Sequence, residues 1–399
     1  MNGFRGMVSV LAAALAAPAA AAGHVDRLDG VRLSGTVRAI DDEAVRIVEN
    51  GEPATVPLKD VARIQLAQAR DATGQRSAAV LVTAGGDPLA ATDLTVVDRQ
   101  VRFRNPLLGS VALPIRQAGA LYGAPKLAAS AVREKCREMN LSRGAGDVLV
   151  VEQEGGNWLT MTGVLGDVGK DQVTFRWRGQ EGRVKRSAVR AILFARVGEP
   201  PAATGTITGV DGSCIGFTGV SFRDETFRVE IPGLGERRIA RKAVAAVVFH
   251  SSRVVPLADL KPTSVREYGV FETFPHRVGR SVGGGPLRLG GREYDAGLGL
   301  HSFCELTYDL SGAYQTFVAT VGIDDAVRPH GGATLTISGD GKPLGEQLDL
   351  SGRTKPVRLR LGVAGVRRLT IRVGFGADEL DYADHVDLAD ARLIKPAAK

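Results

Sequence analysis

The stretch LRLGGREYDAGLGLHSFCELTYDLSGAYQTFVATVGIDD, residues 287–325, decides the fold class of the C-terminal third of this chain. Apolar and polar residues alternate in short runs, and turns rich in Gly, Asp and Ser separate the runs, which is typical of half-buried β-strands. The pattern continues in TLTISGDGKPL (334–344), PVRLRLGV (356–363) and RLTIRVGFG (368–376). Roughly eight short strands in about 110 residues predict a β-sandwich of jelly-roll type.

A weaker pattern recurs four times upstream, at residues 28–64, 85–121, 155–193 and 211–248. Each copy starts with a Gly-containing turn and a short strand, passes through an acidic turn into a second alternating strand, and ends in an apolar strand. A repeat of this length cannot bury its apolar face alone, so neighbours must pack or each copy must curl into a small barrel. One irregular all-β domain built from similar hairpins is the alternative interpretation.

One segment departs from the β pattern. In PKLAASAVREKCREMN (125–140), four apolar residues recur at helical spacing, which predicts a helix between the second and third repeats: Leu127, Val132, Cys136 and Met139. The fold class is therefore mainly β, with small barrel-like modules followed by the sandwich. The predicted order is a signal peptide (1–22), two β-modules (23–124), the helix and a connector (125–145), two β-modules (146–254), a Pro/Gly-rich linker together with the start of the sandwich (255–286), and the rest of the sandwich (287–399).

The N-terminus predicts export. Arg5 precedes a short apolar run, Met7–Ala17, and Ala20-Ala21-Ala22 offers an A-x-A cleavage site. The run is too short to span a bilayer as a mature anchor, and no later stretch approaches the length of a membrane span. We expect a secreted or periplasmic protein that is cleaved after Ala22.

Charge and cysteine content limit which ligands and metals the sequence predicts. The chain has 51 Lys/Arg and 44 Asp/Glu, and residues 262–399 hold 17 of each, so the net charge of +7 lies upstream. A basic region attracts anionic partners, and for an exported protein we expect glycans or envelope components instead of nucleic acid. Cys136, Cys214 and Cys304 form no C-x-x-C motif, so a cysteine zinc site is not expected and we interpret them as buried small apolar residues.

Five motifs near the C-terminus resemble the NPCBM family, a galactose-binding-like β-sandwich. They are LRLGGREYDAGLGLHS (287–302), LTYDLSG (306–312), FVATVGIDD (317–325), ISGDGKPL (337–344) and DHVDLADARL (384–393). The similarity covers about residues 262–395 and implies carbohydrate binding, often beside glycoside hydrolases, with a structural calcium in some members. The upstream repeats more loosely resemble SH3-like or Sm-like β-modules.

One position departs from the family's pattern. Its closing motif usually has Trp two residues before the final Asp-Ala, and here that position is Leu388. If the Trp is a sugar platform in relatives, this chain has lost it. If the Trp is a core residue, Leu is a tolerable replacement.

The acidic segment DYADHVDLADARL (381–393) could bind a metal. Calcium takes six or more oxygen ligands, so Asp381, Asp387, Asp390 and Asp324 are candidate ligands for a structural calcium. Zinc is disfavoured because only His385 offers a nitrogen ligand locally.

The same segment could instead contact a sugar. Tyr382, Asp384 and His385 offer the aromatic face, the carboxylate and the imidazole that a sugar site uses, and His301 in GLGLHS is a further candidate. The third interpretation is a plain polar loop before the last strand, in which alternate apolar residues point inward.

Two catalytic motifs, H-E-x-x-H and the P-loop pattern, are absent from the sequence. We therefore predict no catalytic residues and a non-enzymatic protein that binds a glycan or polysaccharide. The alternative is an envelope structural or protein-interaction protein whose sandwich has lost its sugar. A cryptic glycoside hydrolase is the third hypothesis.

Overall fold

The computed structural model describes residues 23–67, 79–123, 129–196, 198–199, 202–270, 272–294 and 296–397. The predicted signal peptide and Leu127 lie outside these residues. The mainly β fold class is confirmed, with one α-helix, α1 (Ala129–Glu138), in the described part. No helix within that part is long and apolar enough to cross a membrane.

Each of the four repeats starts one strand earlier than the sequence pattern indicated and ends with a 3-10 turn followed by a strand. The long second strand carries a β-bulge in the first three repeats and is broken into two strands in the fourth. The first repeat has the strands β1 Gly23–Arg27, β2 Arg32–Ile40, β3 Ala44–Glu49, β4 Glu52–Pro57 and β5 Val61–Gln65, and the second has β6 Ala79–Thr83, β7 Pro88–Val97, β8 Gln100–Asn105, β9 Gly109–Pro114 and β10 Ala118–Tyr122. The third repeat has β11 Asp147–Glu152, β12 Trp158–Val168, β13 Gln172–Trp177, β14 Gln180–Lys185 and β15 Val189–Leu193. The fourth repeat has β16 Gly205–Gly209, β17 Cys214–Phe217, β18 Gly219–Arg223, β19 Thr226–Ile231, β20 Gly235–Ala240 and β21 Val244–Phe249.

The repeats pair in a nested order. The first joins the fourth through β5–β21 and β2–β18, and the second joins the third through β10–β15 and β7–β12. Two extended sheets result, and apolar residues from all four repeats share one core. We call residues 23–249 the repeat domain.

Helix α1 packs on β10 and β15, between the second and third repeats, as predicted. Val132 and Cys136 are buried there against Val148 and Leu193. Cys304 is also buried, Cys214 is partly exposed, and none of the three cysteines forms a disulfide.

The C-terminal sandwich has two main sheets with their own apolar core. One sheet has the order β24-β27-β35-β29-β33 with β22 on β35, the other has β23-β28-β34-β30-β31 with β32 on β30, and β25–β26 form a hairpin. The strands are β22 Val254–Pro256, β23 Ser264–Glu267, β24 Arg277–Val278, β25 Leu287–Leu289, β26 Arg292–Tyr294, β27 Gly297–Leu300, β28 Cys304–Asp309, β29 Thr316–Ile323, β30 Gly332–Gly339, β31 Lys342–Pro343, β32 Leu348–Ser351, β33 Val357–Gly362, β34 Arg368–Phe375 and β35 Val386–Ile394.

Residues 255–286, predicted as a linker and the start of the sandwich, contribute strands to the sandwich within their described part. Strand β22 pairs with the C-terminal half of β35, and β23 pairs with β28. Pro256 ends the edge strand β22, where proline is tolerated, and Pro262 lies in the connection to β23, so neither proline interrupts the sandwich.

The repeat domain and the sandwich touch directly. Leu28 of the repeat domain packs against Val318 and Ile394 of the sandwich. Around this apolar contact, the Arg253 guanidinium lies 2.6 Å from an Asp60 carboxylate oxygen, and Arg360 donates to Asp29.

Candidate functional site

Four loops contact one another beside the start of β35, and hydrogen bonds hold them together. Asp381 Oδ2 accepts from the Val270 backbone N–H at 2.6 Å, so the loop after β34 is tied to the loop after β23. Asp384 accepts from the Ser302 hydroxyl and, at 2.9 Å, from the Gly332 backbone N–H. We call these loops, residues 268–270, 272–283, 301–303, 330–332 and 376–385, the β35 loop site.

A glycine allows two of these loops to meet. Gly331 has φ +84°, and a Cβ placed there would lie 2.2 Å from the carbonyl oxygen of Ala383. A side chain at this position would force the loops apart, so the contact requires glycine.

The two predicted histidines lie side by side. The ring centroids of His301 and His385 are 5.5 Å apart, and Phe274 packs on both rings at 4.5 and 6.3 Å. His301 is only 2% exposed, and its Nδ1 lies 2.7 Å from the Ser302 carbonyl oxygen. Because a carbonyl only accepts, Nδ1 of His301 must donate, and in a neutral imidazole Nε2 is then the acceptor.

His385 is the side chain that can bond a ligand. It is half-buried, and among the described residues neither ring nitrogen has a hydrogen-bond partner. Burial lowers the pKa of His385, and the neighbouring His301 lowers it further while Asp324 opposes this. A neutral imidazole offers one donor and one acceptor, which is what a sugar hydroxyl pairs with.

Tyr382 is the exposed aromatic residue of the β35 loop site. Its side chain is 71% exposed, and its ring lies 6.2 Å from the His330 ring in an edge arrangement. An exposed ring held by a neighbour can stack on the C–H face of a sugar. The structure therefore leaves Tyr382 available for the role that the sequence predicted.

Asp384 has a different role from the predicted sugar contact. It is fully buried, and each of its oxygens already accepts a hydrogen bond from another loop. Burial raises the pKa of Asp384, while the bonds from Ser302 and Gly332 oppose that rise. The side chain holds the loops in place beneath the site and is not open to a ligand.

The four candidate metal ligands are not brought together. Asp381 is occupied by Val270, and Asp390 is exposed at a bulge of β35, where its carboxylate pairs with Arg392 at 3.2 Å. Only Asp324 and Asp387 are neighbours. Across the part of the chain that the structure describes, no three His, Cys, Asp or Glu side chains are grouped as metal ligands. The predicted calcium set is thus not formed, and these residues do not fit a calcium ion, which needs six or more oxygens.

Asp324 and Asp387 are both buried, and their carboxyl groups lie beside each other. Asp387 Oδ2 accepts from the Arg288 backbone N–H at 2.9 Å, and Asp324 Oδ1 accepts from the Ala326 N–H at 2.6 Å. The other oxygen of each has no donor among the described groups. Burial, followed by the charge of Asp324, raises the pKa of Asp387 to about 8. With a proton on Asp387, the two free oxygens form a carboxyl–carboxylate hydrogen bond.

Sequence reasoning missed three aromatic contributors. Phe274 covers both histidine rings, His330 contacts Tyr382, and half-exposed Tyr268 stacks on Phe303 at 4.5 Å. The aromatic and histidine content of FETFPHRVG (271–279) was the available signal. Leu388 lies fully buried in the sandwich core, so this position is not on the surface.

Comparison with known proteins identifies the sandwich. The family model for the NPCBM/NEW2 domain matches residues 253–394, which confirms the resemblance seen in the sequence and extends it to the start of β22. A curated protein from Renibacterium salmoninarum, named "Putative endo-alpha-N-acetylgalactosaminidase", is 30% identical over 90 residues. That match covers 23% of this chain and 6% of the relative, so this chain spans only a small part of that protein.

Solved structures of CBM51 modules from Clostridium perfringens are also similar. CBM51 from GH95, in complex with methyl-galactose, is 26% identical with a TM-score of 0.32, covering 35% of this chain and 99% of that one. A structure of CBM51-2 in complex with GlcNAc and INT domains from ZmpB is 22% identical with a TM-score of 0.33, covering 48% of this chain and 43% of that one.

Proposed function

We propose, from the NPCBM/NEW2 domain that residues 253–394 form, that this protein binds a glycan through the β35 loop site without hydrolysing it. The family match is the observation that carries the proposal. The repeat domain would then act as a basic spacer or docking surface.

The chemistry of the site supports binding. His385 offers a neutral imidazole without a partner among the described residues, and Tyr382 offers an exposed ring on the same loop. Sugars are commonly held by such a combination of planar polar groups and an aromatic face.

Three aspartates of the acidic segment are not available as a catalytic pair. Glycoside hydrolysis usually needs two accessible carboxyl groups that flank the scissile bond. Asp384 and Asp387 are fully buried, and Asp381 is bonded to the opposite loop. Turnover of a polysaccharide by the purified full chain would overturn this part of the proposal.

The test is binding of the full chain to a glycan array, with methyl-galactose and N-acetylglucosamine included as probes. Tyr382→Ala and His385→Ala are expected to lose at least tenfold in affinity while melting close to the parent, because one side chain is exposed and the other makes no hydrogen bond with the described residues. Trp177→Ala is the matched control, since it removes a partly exposed aromatic ring from the repeat domain. A blank array, or equal loss in the control, would contradict the proposal.

Protein binding is the second candidate function. Three exposed apolar side chains surround the Asp381–Val270 bond, namely Tyr268, Val270 and Leu380, each about half exposed. Such a patch is a common feature of protein-binding surfaces. Capture of envelope proteins by the full chain, lost in Leu380→Asp and accompanied by a blank glycan array, would favour this function.

A further inference from the structure

A groove of about 650 Å³ lies between the repeat domain and the sandwich, away from the β35 loop site. Arginines from both sides line it, with Arg63 on β5 of the repeat domain and Arg292, Arg358 and Arg360 on the sandwich. The groove is large enough for two or three sugar units, since small-molecule sites commonly measure about 300–1,000 Å³.

The acidic residues of the groove are already neutralised. Asp26 accepts two hydrogen bonds from Arg32, at 2.5 and 2.8 Å, and Arg358 lies 4.0 Å from it. Glu293 pairs with Arg288 at 3.1 Å, and Asp390 pairs with Arg392.

Two guanidinium groups of the groove have no carboxylate partner within the described part of the chain. Among the described residues, no carboxylate oxygen lies within 4.0 Å of Arg63 or Arg292. Arg63 donates through Nε to Gln65, and Arg292 lies 4.6 Å above the ring of Tyr294. Burial lowers the pKa of Arg63, and the charge of Arg292 lowers it further, while the charges of Asp26 and Asp390 oppose this.

We propose that this interdomain groove is a second ligand site, which takes the acidic group of an anionic saccharide such as a uronate or a sulfated sugar. Two guanidinium groups that face one space, and that have no carboxylate partner among the described residues, can bind a carboxylate or sulfate, because Arg binds planar oxyanions through two N–H donors. An oxyanion between Arg63 and Arg292 would relieve their repulsion. The half-buried ring of Tyr294 supplies an apolar surface beside them, which favours a sugar over an inorganic ion.

The site is independent of the β35 loop site, so its test can fail or succeed separately from the proposed glycan binding. Trigalacturonic acid and a sulfated disaccharide are titrated calorimetrically into the full chain, with neutral galactotriose and a tri-glutamate peptide as comparison ligands. Arg63→Gln/Arg292→Gln is expected to weaken binding of an acidic saccharide by about ten- to a hundredfold, the loss typical of charged hydrogen bonds. Binding by His385→Ala is expected to be unchanged.

The control is Arg102→Gln/Arg176→Gln, which removes the same net charge from exposed strand positions of the repeat domain. It is expected to bind like the parent. No binding of either acidic saccharide overturns the proposal, as does an equal loss in both double variants. Tighter binding of tri-glutamate than of either saccharide would overturn the assignment to sugars. Binding of the carboxylated but not the sulfated saccharide, or the reverse, supports the site and identifies the anion that it takes.

Discussion

Replacing Asp387 by Asn is expected to remove a pH dependence of folding that the buried carboxyl pair creates. The pKa of Asp387 is raised from 3.8 to about 8 in the folded protein, because the side chain is fully buried and lies beside Asp324. Between these two values the folded state keeps the proton that the unfolded state releases. This group's contribution to stability is therefore complete below pH 4 and is lost as the pH rises toward 8.

The size of the effect follows from proton linkage. One proton difference changes the free energy of unfolding by about 1.4 kcal/mol per pH unit, so the wild type should lose about 2 kcal/mol from this group between pH 6 and 7.5. Asn imitates the protonated acid, because its N–H can donate to Asp324 and its oxygen can accept from the Arg288 N–H. The difference in the free energy of unfolding between Asp387→Asn and the wild type should therefore shift by about 2 kcal/mol in favour of the variant between pH 6 and 7.5.

Urea unfolding of the full chain at four pH values measures this difference. Both tryptophans, Trp158 and Trp177, lie in the repeat domain, so tryptophan emission follows that domain and the remaining circular dichroism change follows the sandwich. The lowered pKa of His385 adds an opposite pH dependence near its ordinary range, but it is common to both proteins and cancels. Asp390→Asn, an exposed aspartate on the same strand, serves as the control.

Two results would refute the shared proton. A difference that stays constant within about 0.5 kcal/mol from pH 6 to 7.5 would mean that Asp387 does not keep its proton. A rise in melting temperature with calcium over EDTA that is absent in Asp387→Asn would mean that the two free oxygens hold a cation instead. We expect no calcium effect on either protein.

Three further outcomes are expected. Leu388→Ala should lower the free energy of unfolding of the sandwich by about 2–5 kcal/mol, through the cavity that it leaves, while the folded fraction keeps its affinity for glycan; lost affinity without lost stability would argue against a core role. Gly331→Ala should destabilise the sandwich more than Gly341→Ala, by about 1–3 kcal/mol in urea unfolding, because both glycines have positive φ but only Gly331 meets another backbone; equal costs would contradict the loop contact. Exported protein should begin at Gly23 by intact mass, and a mass that includes residues 1–22 would contradict cleavage after Ala22.

Local patterns predicted the elements of this fold well. Alternating apolar and polar residues predicted strands that the structure contains, such as β34, Arg368–Phe375. The helical spacing of Val132 and Cys136 predicted α1. The pairing of the first repeat with the fourth could not be predicted. That pairing depends on the backbone hydrogen bonds of β5 with β21, which leave no mark on side-chain periodicity.

The candidate site was only partly predictable, because sequence gives residue type without burial. His301 and His385 do lie beside each other, but Asp384 and Asp387 are buried inside the fold instead of being exposed on an acidic loop. Strand β35 is central in its sheet, and residues 386–389 are all buried. A polar residue in such a strand must find a partner, and Asp387 accepts from the Arg288 N–H, while Asp384, just before the strand, joins two neighbouring loops.

The burial of Leu388 bears on which function is right. Its backbone pairs with Leu298 on β27 and Val321 on β29, and its side chain belongs to the apolar core. A Trp at this position of this fold would also point into the core, where it could not stack on a sugar. Replacing the family's Trp by Leu therefore removes packing volume and leaves the ligand surface unchanged, so it does not favour a sandwich that has lost its sugar. The choice between glycan binding and protein binding rests instead on exposed Tyr382 and on His385, which has no hydrogen-bond partner among the described residues, so the variants at these two positions are decisive.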